Sequence, residues 1–469
     1  RIYTGVTTVV IGNCGIGVAP ISDDPQNAEL LRAYLSTRIV GTIPAPLEFH
    51  WKSFGEYLDY IDAHAPAINI APLLSQGAIR IQEMGFSKED ATPEQSIHMQ
   101  QEVDKAMQEG ALGLSSGLMY LPGAYTGTKE LTELCKPMVP YGGMYVTHIR
   151  DYMDDLFPSV EEAIEIAENA GVPLHLSHFQ IMTSKNSGKV QEILDVIEDA
   201  RKRGVEVSLD TMPYDAGMTS LSALLPPWSM EGGVQEFLKR IEKEDVREKI
   251  IKDTLEGTPT WRSSYLAAND WEKVTIATVQ TEKNRWAEGK TIAQAAREMG
   301  MDIFPAIFKL LEEEDARIQI CIVMKDYADV EKFVVTKDMM IGSDSMTLST
   351  EGLLSKGKPH PRAFGTFGKY FHEFVQEKRM LHLEEAVHKV TQVPARRLGF
   401  LDRGVLQVGA HADVTVFDAQ NFRDLATYTD PKQYSVGVQH VLVNGQIALR
   451  DGKQTDVCAG KVWRNTRKK

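Results

Sequence analysis

The strongest constraint on the fold is a recurring unit: a short run of β-branched residues, then a stretch with apolar residues at helical spacing. The first run, Gly5-Val6-Thr7-Thr8-Val9-Val10-Ile11, stops at Gly12-Asn13-Cys14-Gly15. Val, Ile and Thr suit a pleated, buried strand. The run does not alternate polar with apolar residues, so both faces should be covered, as in a parallel sheet wrapped by helices. With 5–13 as the first, strands are expected at 68–73, 111–118, 144–148, 173–178, 205–212 and 339–344, seven in all. Helices are expected between them. At 53–64, Phe54, Tyr57, Leu58 and Ile61 share one face. Thr92-Pro93-Glu94-Gln95 opens another helix, with Thr as N-cap, Pro at the first position and Gln at the capping-box position, ending near Gly110. Val160, Ala163, Ile164 and Ala167 form one stripe, and Val190, Ile193, Leu194 and Ile197 another.

Regular strand–helix alternation points to an α/β fold with a parallel sheet. The expected architecture is a (β/α)8 TIM-type barrel, which needs eight strands. The first of them is expected before Arg1. The chain opens at Arg1 rather than Met, so no start or targeting segment is legible.

The rhythm breaks between Tyr214 and Met339, about 125 residues apart, where one strand–helix–strand unit takes about 30 or more. An inserted α-rich segment is expected at about 217–265. The Gly/Ser/Pro-rich stretch from Asp344 to Phe367 reads as an irregular loop beside the strand ends, a lid candidate. A helix at 383–398 closes the main domain, 1–398. A small β-sandwich subdomain is expected over 399–469. Its strands are Gly404-Val405-Leu406, 412–417, 440–443 and 446–449, with Asn444-Gly445 as a hairpin turn.

The formal charge of −14 argues against nucleic acid or an anionic membrane as partner. The basic end Arg464 to Lys469 is too short to overturn that. The four cysteines, Cys14, Cys135, Cys321 and Cys458, have no disulfide or zinc-finger spacing, which fits a reducing, cytoplasmic setting. No apolar run approaches the roughly 20 residues of a membrane span. The oligomeric state is not legible.

Cys14, His148, His178 and Asp344 each end a different expected strand. In a barrel of this type such ends converge at one mouth, where active sites lie. Thiolate, imidazole and carboxylate are zinc-type ligands. Asp344 is the candidate for moving a proton from water to a leaving nitrogen. Each residue alone has a structural reading: a buried inert thiol, neutral core histidines, a turn aspartate. Four coordinating residue types at four strand ends of one barrel pattern point to a metal site.

On these residues the chain resembles the N-acyl-D-amino-acid deacylases (D-aminoacylases) of the amidohydrolase superfamily. The matching pieces run in order from Gly5 to about Arg464. They include the Gly5–Gly15 stretch, Gly117-Leu118-Met119-Tyr120-Leu121-Pro122-Gly123, Thr147-His148-Ile149-Arg150-Asp151, Ser177-His178-Phe179, Pro213-Tyr214, Gly342-Ser343-Asp344 and His360-Pro361-Arg362-Ala363-Phe364-Gly365-Thr366-Phe367. The C-terminal pieces, such as Gly409-Ala410-His411-Ala412-Asp413, mark the superfamily only.

The resemblance implies a zinc site of one or two ions with Cys14, His148, His178 and Asp344 as ligands. It gives Asp344 the catalytic role and Tyr120, Tyr214, Ser220 and Arg362 the substrate contacts. The small-molecule partner is then an N-acyl amino acid or a related amide. The chain departs from the family pattern in two places. The family's His-x-His pair, expected about one βα unit before Gly5, is not in the sequence; the nearest imitation is His175 with His178. The family's carboxylate-binding Lys, two residues after the sixth-strand His, is replaced by Gln180, with Lys185 nearby as a substitute cation. Pro226 stands where relatives selecting acidic substrates tend to have Arg, which points away from N-acyl-D-glutamate and N-acyl-D-aspartate. The expected activity is metal-dependent hydrolysis of N-acyl-D-amino acids. The alternatives are a cyclic-amide hydrolase of the dihydroorotase or hydantoinase kind and a non-catalytic binding protein on the same scaffold.

Overall fold

The structure is a computed structural model that describes residues 1–38, 48–258, 261 and 270–467. Strand β1 (Thr8–Ile11) pairs in parallel with β2 (Asn69–Pro72), which continues past Leu73 into β3 (Leu74–Ser75). From β3 the parallel order runs through β4 (Gly113–Gly117), β5 (Met144–His148), β6 (Leu174–Leu176) and β7 (Val207–Thr211) to β11 (Met340–Ile341). All but β3, which lies just past the expected 68–73, are the seven expected strands, each shortened to the part with ladder partners except 144–148, which is unchanged. Among the described residues no pairing joins Thr8–Ile11 to Met340–Ile341.

The intervening helices form where the apolar spacing places them. Ser53 and Thr92 each accept from the backbone N–H three residues on and are bonded back by Glu56 and Gln95, so both capping boxes are complete. Gly110 ends the second helix in a left-handed conformation that glycine adopts without steric cost. Val160, Ala163, Ile164 and Ala167 are buried on Leu156–Ala170, and Val190, Ile193 and Ile197 on Val190–Lys202. Together they enter the main apolar core.

The break in the rhythm is larger than an α-rich segment at 217–265. It runs from Ala216 to Val323 and holds an antiparallel sheet of β8 (Ala216–Ser220), β10 (Gln319–Val323) and β9 (Val274–Thr278), in that order. The helices Val234–Ile241 and Glu244–Glu256 are present; residues 259–260 and 262–265 of the expected insertion lie outside the described residues. The irregular segment after Asp344 ends at Arg362, not Phe367, because Arg362–Lys369 is helical. Leu383–Val390 and Gln392–Arg397 replace a single helix at 383–398, broken at Thr391 (φ −126°, ψ −82°).

At the C-terminal end, β12 (Val414–Phe417), β13 (Val438–Val443), β14 (Gln446–Arg450) and β15 (Lys453–Gln454) make one four-stranded antiparallel sheet. Asn444 and Gly445, both at positive φ, form the expected hairpin turn. Gly404–Leu406 is not a strand; Leu406 is exposed, with nothing to pack on. Among the described residues this part is a single sheet, not a sandwich of two. Its apolar face packs with Ile2 and with Tyr370, Phe371 and Phe374 of the neighbouring helix. No described helix is long and apolar enough to cross a membrane.

Candidate active site

The turn after β1 carries Cys14 at φ +57°, a left-handed conformation that is uncommon outside glycine. Three contacts hold it. Ser75 Oγ donates to the Gly15 carbonyl at 2.6 Å, the Gly15 N–H donates to Ser115 Oγ at 3.2 Å, and Ser115 Oγ donates in turn to the Gly12 carbonyl. Gly117, at the end of β4, lets the turn approach closely: a Cβ there would stand 2.1 Å from the Cys14 carbonyl oxygen.

His148 is the last residue of β5, and His178 follows β6 at φ +36°. The Cys14 Sγ lies 3.3 Å from His178 Nε2, and His148 Nδ1 lies 2.9 Å from the same nitrogen. All three ligand atoms fall within 4.8 Å of one another, and all three side chains are buried. Tetrahedral zinc, with bonds of about 2.0–2.1 Å to nitrogen and 2.3 Å to sulfur, sets its ligand atoms roughly 3.3–3.6 Å apart. The two contacts at His178 Nε2, 3.3 Å and 2.9 Å, lie within about half an ångström of that spacing. Burial, then the Asp344 and Asp210 carboxylates, push the Cys14 thiol well above its ordinary value. A cation would reverse that by favouring the thiolate. A buried thiol and two imidazoles with nearby carboxylates therefore fit a zinc-like ion.

Asp344 lines the same cavity at φ +42° but does not join the three-atom cluster. Its Oδ2 lies 2.8 Å from Arg362 Nη1, so the carboxylate is drawn toward the guanidinium. The cavity has a volume of about 630 Å³, within the range of small-molecule sites. Tyr120, Gln180, Ser220 and Arg362 line it. The Tyr120 ring lies 4.8 Å from that of His148. Gln180 is buried, and among the described residues its Oε1 has no hydrogen-bond partner.

Tyr214 is not brought to the cavity; it is buried with its ring edge-on to His360 at 5.0 Å. Lys185 is exposed and Pro226 buried, and neither lines the cavity. Lys185 therefore does not replace the missing family lysine.

Two neighbours of His178 were not legible in the sequence. Asp210 Oδ1 accepts from the His178 backbone N–H at 3.1 Å and pairs with His175 Nε2 at 2.9 Å. Burial would raise this carboxyl, but its bonds to His175 and the nearby His178 hold it below its ordinary value. Tyr152, in the loop after β5, places its hydroxyl 3.2 Å from His178 Nδ1. No periodicity marks either residue; the alternation of β7 and the Thr147–Asp151 motif were the only signals nearby.

Comparison with known proteins decides the family. An amidohydrolase family model matches residues 336–449. The D-aminoacylase of Alcaligenes xylosoxydans xylosoxydans is 30% identical over 99% of this chain and 82% of its own length. The chain belongs to the D-aminoacylase family. A second family member, the N-acyl-D-aspartate deacylase of the same organism, is 31% identical over 97% of this chain and 78% of its own length. Among solved structures, the family's N-acyl-D-glutamate deacylase from Bordetella bronchiseptica is similar with a TM-score of 0.77 and 29% identity. It covers 99% of this chain and 83% of that one, and holds zinc and a phosphonate that mimics the tetrahedral intermediate. The fold is thus α/β of the TIM-barrel kind, and Cys14, His148, His178 and Asp344 stand at its strand ends.

Proposed function

We propose that the protein hydrolyses the amide bond of N-acyl-D-amino acids, releasing a D-amino acid and a carboxylate. The observation that carries this reading is the buried Cys14–His148–His178 cluster opening on a cavity that also holds the Asp344–Arg362 pair. The zinc-bound relative with its intermediate mimic supports it. Cys14, His148 and His178 would hold one zinc ion, and Asp344 would stand beside it. When bound, zinc supplies Lewis acidity toward the amide carbonyl and acidifies water.

The protein's own groups divide the remaining work. Arg362 ties Asp344 Oδ2, which leaves Oδ1 to take a proton from the attacking water. The same oxygen returns that proton to the leaving nitrogen as the C–N bond breaks. The planar fork of Arg362 also suits the substrate carboxylate. Tyr120 and Ser220 offer hydroxyls toward the acyl end. Met119, Met182, Met218, Met324 and Met346 line the cavity. Flexible thioethers adapt to apolar side chains of varied shape, and Gln180 adds no cation for an acidic one.

The reading extends to the architecture. Residues 1–398 are assigned to the hydrolase barrel, of (β/α)8 type, and 399–469 to the β-subdomain. Turnover of N-acetyl-D-methionine by zinc-loaded protein, followed by amine release, tests the function. Zinc-dependent release from the D but not the L isomer is expected. No release from either, with zinc bound at Cys14, would overturn it.

A further inference from the structure

The loop after β5 does more than connect. It returns Tyr152 under the pair of ligand histidines, where the ring lies edge-on to His148 at 4.9 Å and 5.5 Å from His178. Both ends of the residue are fixed. Its backbone carbonyl accepts from Met182 N–H at 2.9 Å, which ties the loop after β5 to the loop after β6. Asn186 Nδ2 donates to the Met153 and Asp154 carbonyls and steadies the same turn.

The hydroxyl has three neighbours. The Ile149 N–H donates to it at 3.2 Å, the Ser177 carbonyl lies 3.1 Å away, and His178 Nδ1 lies 3.2 Å away. A phenol has one proton to give. The Ser177 carbonyl can only accept, so the arrangement that satisfies every group has the proton on that bond. The hydroxyl oxygen then faces His178 as an acceptor, and His178 Nδ1 must carry its hydrogen.

We propose that Tyr152 is a positioning residue that locks His178 in the Nδ1–H tautomer, so that its Nε2 lone pair is directed at Cys14 and His148. A metal-binding imidazole needs this second hydrogen bond to fix its ring and tautomer. Here the acceptor is a neighbouring loop's phenol rather than a carboxylate. The metal-binding consequence rests on the zinc reading above; the tautomer itself does not.

The test uses the full chain with Tyr152→Phe, which keeps the ring packed against both histidines and removes only the oxygen. Metal-free protein carrying 15N-histidine is compared before and after substitution, with His178 assigned by its loss in His178→Gln. The unsubstituted protein should show protonated Nδ1 and bare Nε2 at His178, and the variant a mixture of the two tautomers. Zinc affinity, read by competition with a chromophoric chelator, should weaken by about 10–100-fold, and excess zinc should restore turnover with little change in KM. Protonated Nε2 at His178 in the unsubstituted chain would overturn the proposal, even if the variant failed to fold. So would a folded variant with unchanged tautomer and zinc affinity. An unsubstituted chain that takes no zinc at Cys14 yet shows the Nδ1–H tautomer would instead overturn the zinc reading.

Discussion

Gly117→Ala is the most exacting perturbation of the site, because it touches no candidate ligand side chain. A Cβ at this position would stand 2.1 Å from the Cys14 carbonyl oxygen and 2.8 Å from its carbonyl carbon. These are main-chain atoms, so no side-chain rotation relieves the contact. Real Cβ atoms essentially never approach closer than 3.0 Å, so something must move by at least 0.9 Å (3.0 − 2.1). If the Cys14 turn yields, Sγ leaves the cluster. If the end of β4 yields, His148 is disturbed, because Gly117 is its register partner. Metal coordination tolerates only about 0.2 Å of error in bond length, so the displacement exceeds the tolerance several-fold by either route. Overpacking of this kind costs about 1–3 kcal/mol of stability, a few degrees in Tm, and the variant should fold. Its zinc affinity should fall roughly 100-fold or more, at least the loss expected for a supporting residue. Metal-stripped full chain titrated with zinc against a chromophoric chelator, with thermal melts in parallel, gives both numbers. A folded Gly117→Ala protein with undiminished zinc affinity would refute the argument that this close approach places Cys14.

Asp344→Asn should lower kcat by about 10²–10⁴-fold, the range for loss of a proton-transfer group. Zinc binding should be little changed, since Asp344 lies outside the three-atom cluster; metal analysis of the inactive variant checks this. Gln180→Lys should lower KM for N-acetyl-D-methionine by about tenfold, because an ionic hydrogen bond is roughly twice as strong as a neutral one. Steady-state kinetics on the variant reads this out, and an unchanged KM would show that the carboxylate does not reach Gln180. Lys325 is buried, and desolvation, then the Arg362 charge, lower its pKa from 10.5 to about 7. Between those values the unfolded chain holds a proton that the folded chain has released, so this group makes stability rise with pH across the window. Lys325→Met should therefore be more stable near pH 7, by a few kcal/mol at most, with the gain vanishing toward pH 10. Chemical denaturation at both pH values tests the sign.

The strand ends were legible because buried parallel strands demand β-branched runs, and the ligand candidates stop those runs. The antiparallel sheet of the inserted region was not. Its Ala216–Ser220 strand has a single β-branched residue, Thr219, and Gly217 packed under Met324, so its pairing comes from tertiary contact rather than propensity. The supporting roles were equally hidden, and the backbone shows why they are needed. Cys14, His178 and Asp344 all sit at positive φ. Such a conformation costs a non-glycine residue about 1–3 kcal/mol and persists only where its surroundings enforce it. Each of the three has its own restraint. Ser75 and Ser115 hold the Cys14 turn, Asp210 takes the His178 N–H, and Arg362 holds the Asp344 carboxylate. In the sequence Ser75 and Ser115 are ordinary serines and Asp210 an aspartate inside an expected strand, while Arg362 reads only as a candidate substrate contact. Their role follows only from the strained residue each one faces. Replacing a restraint should therefore impair the site even though the ligand it serves is unchanged.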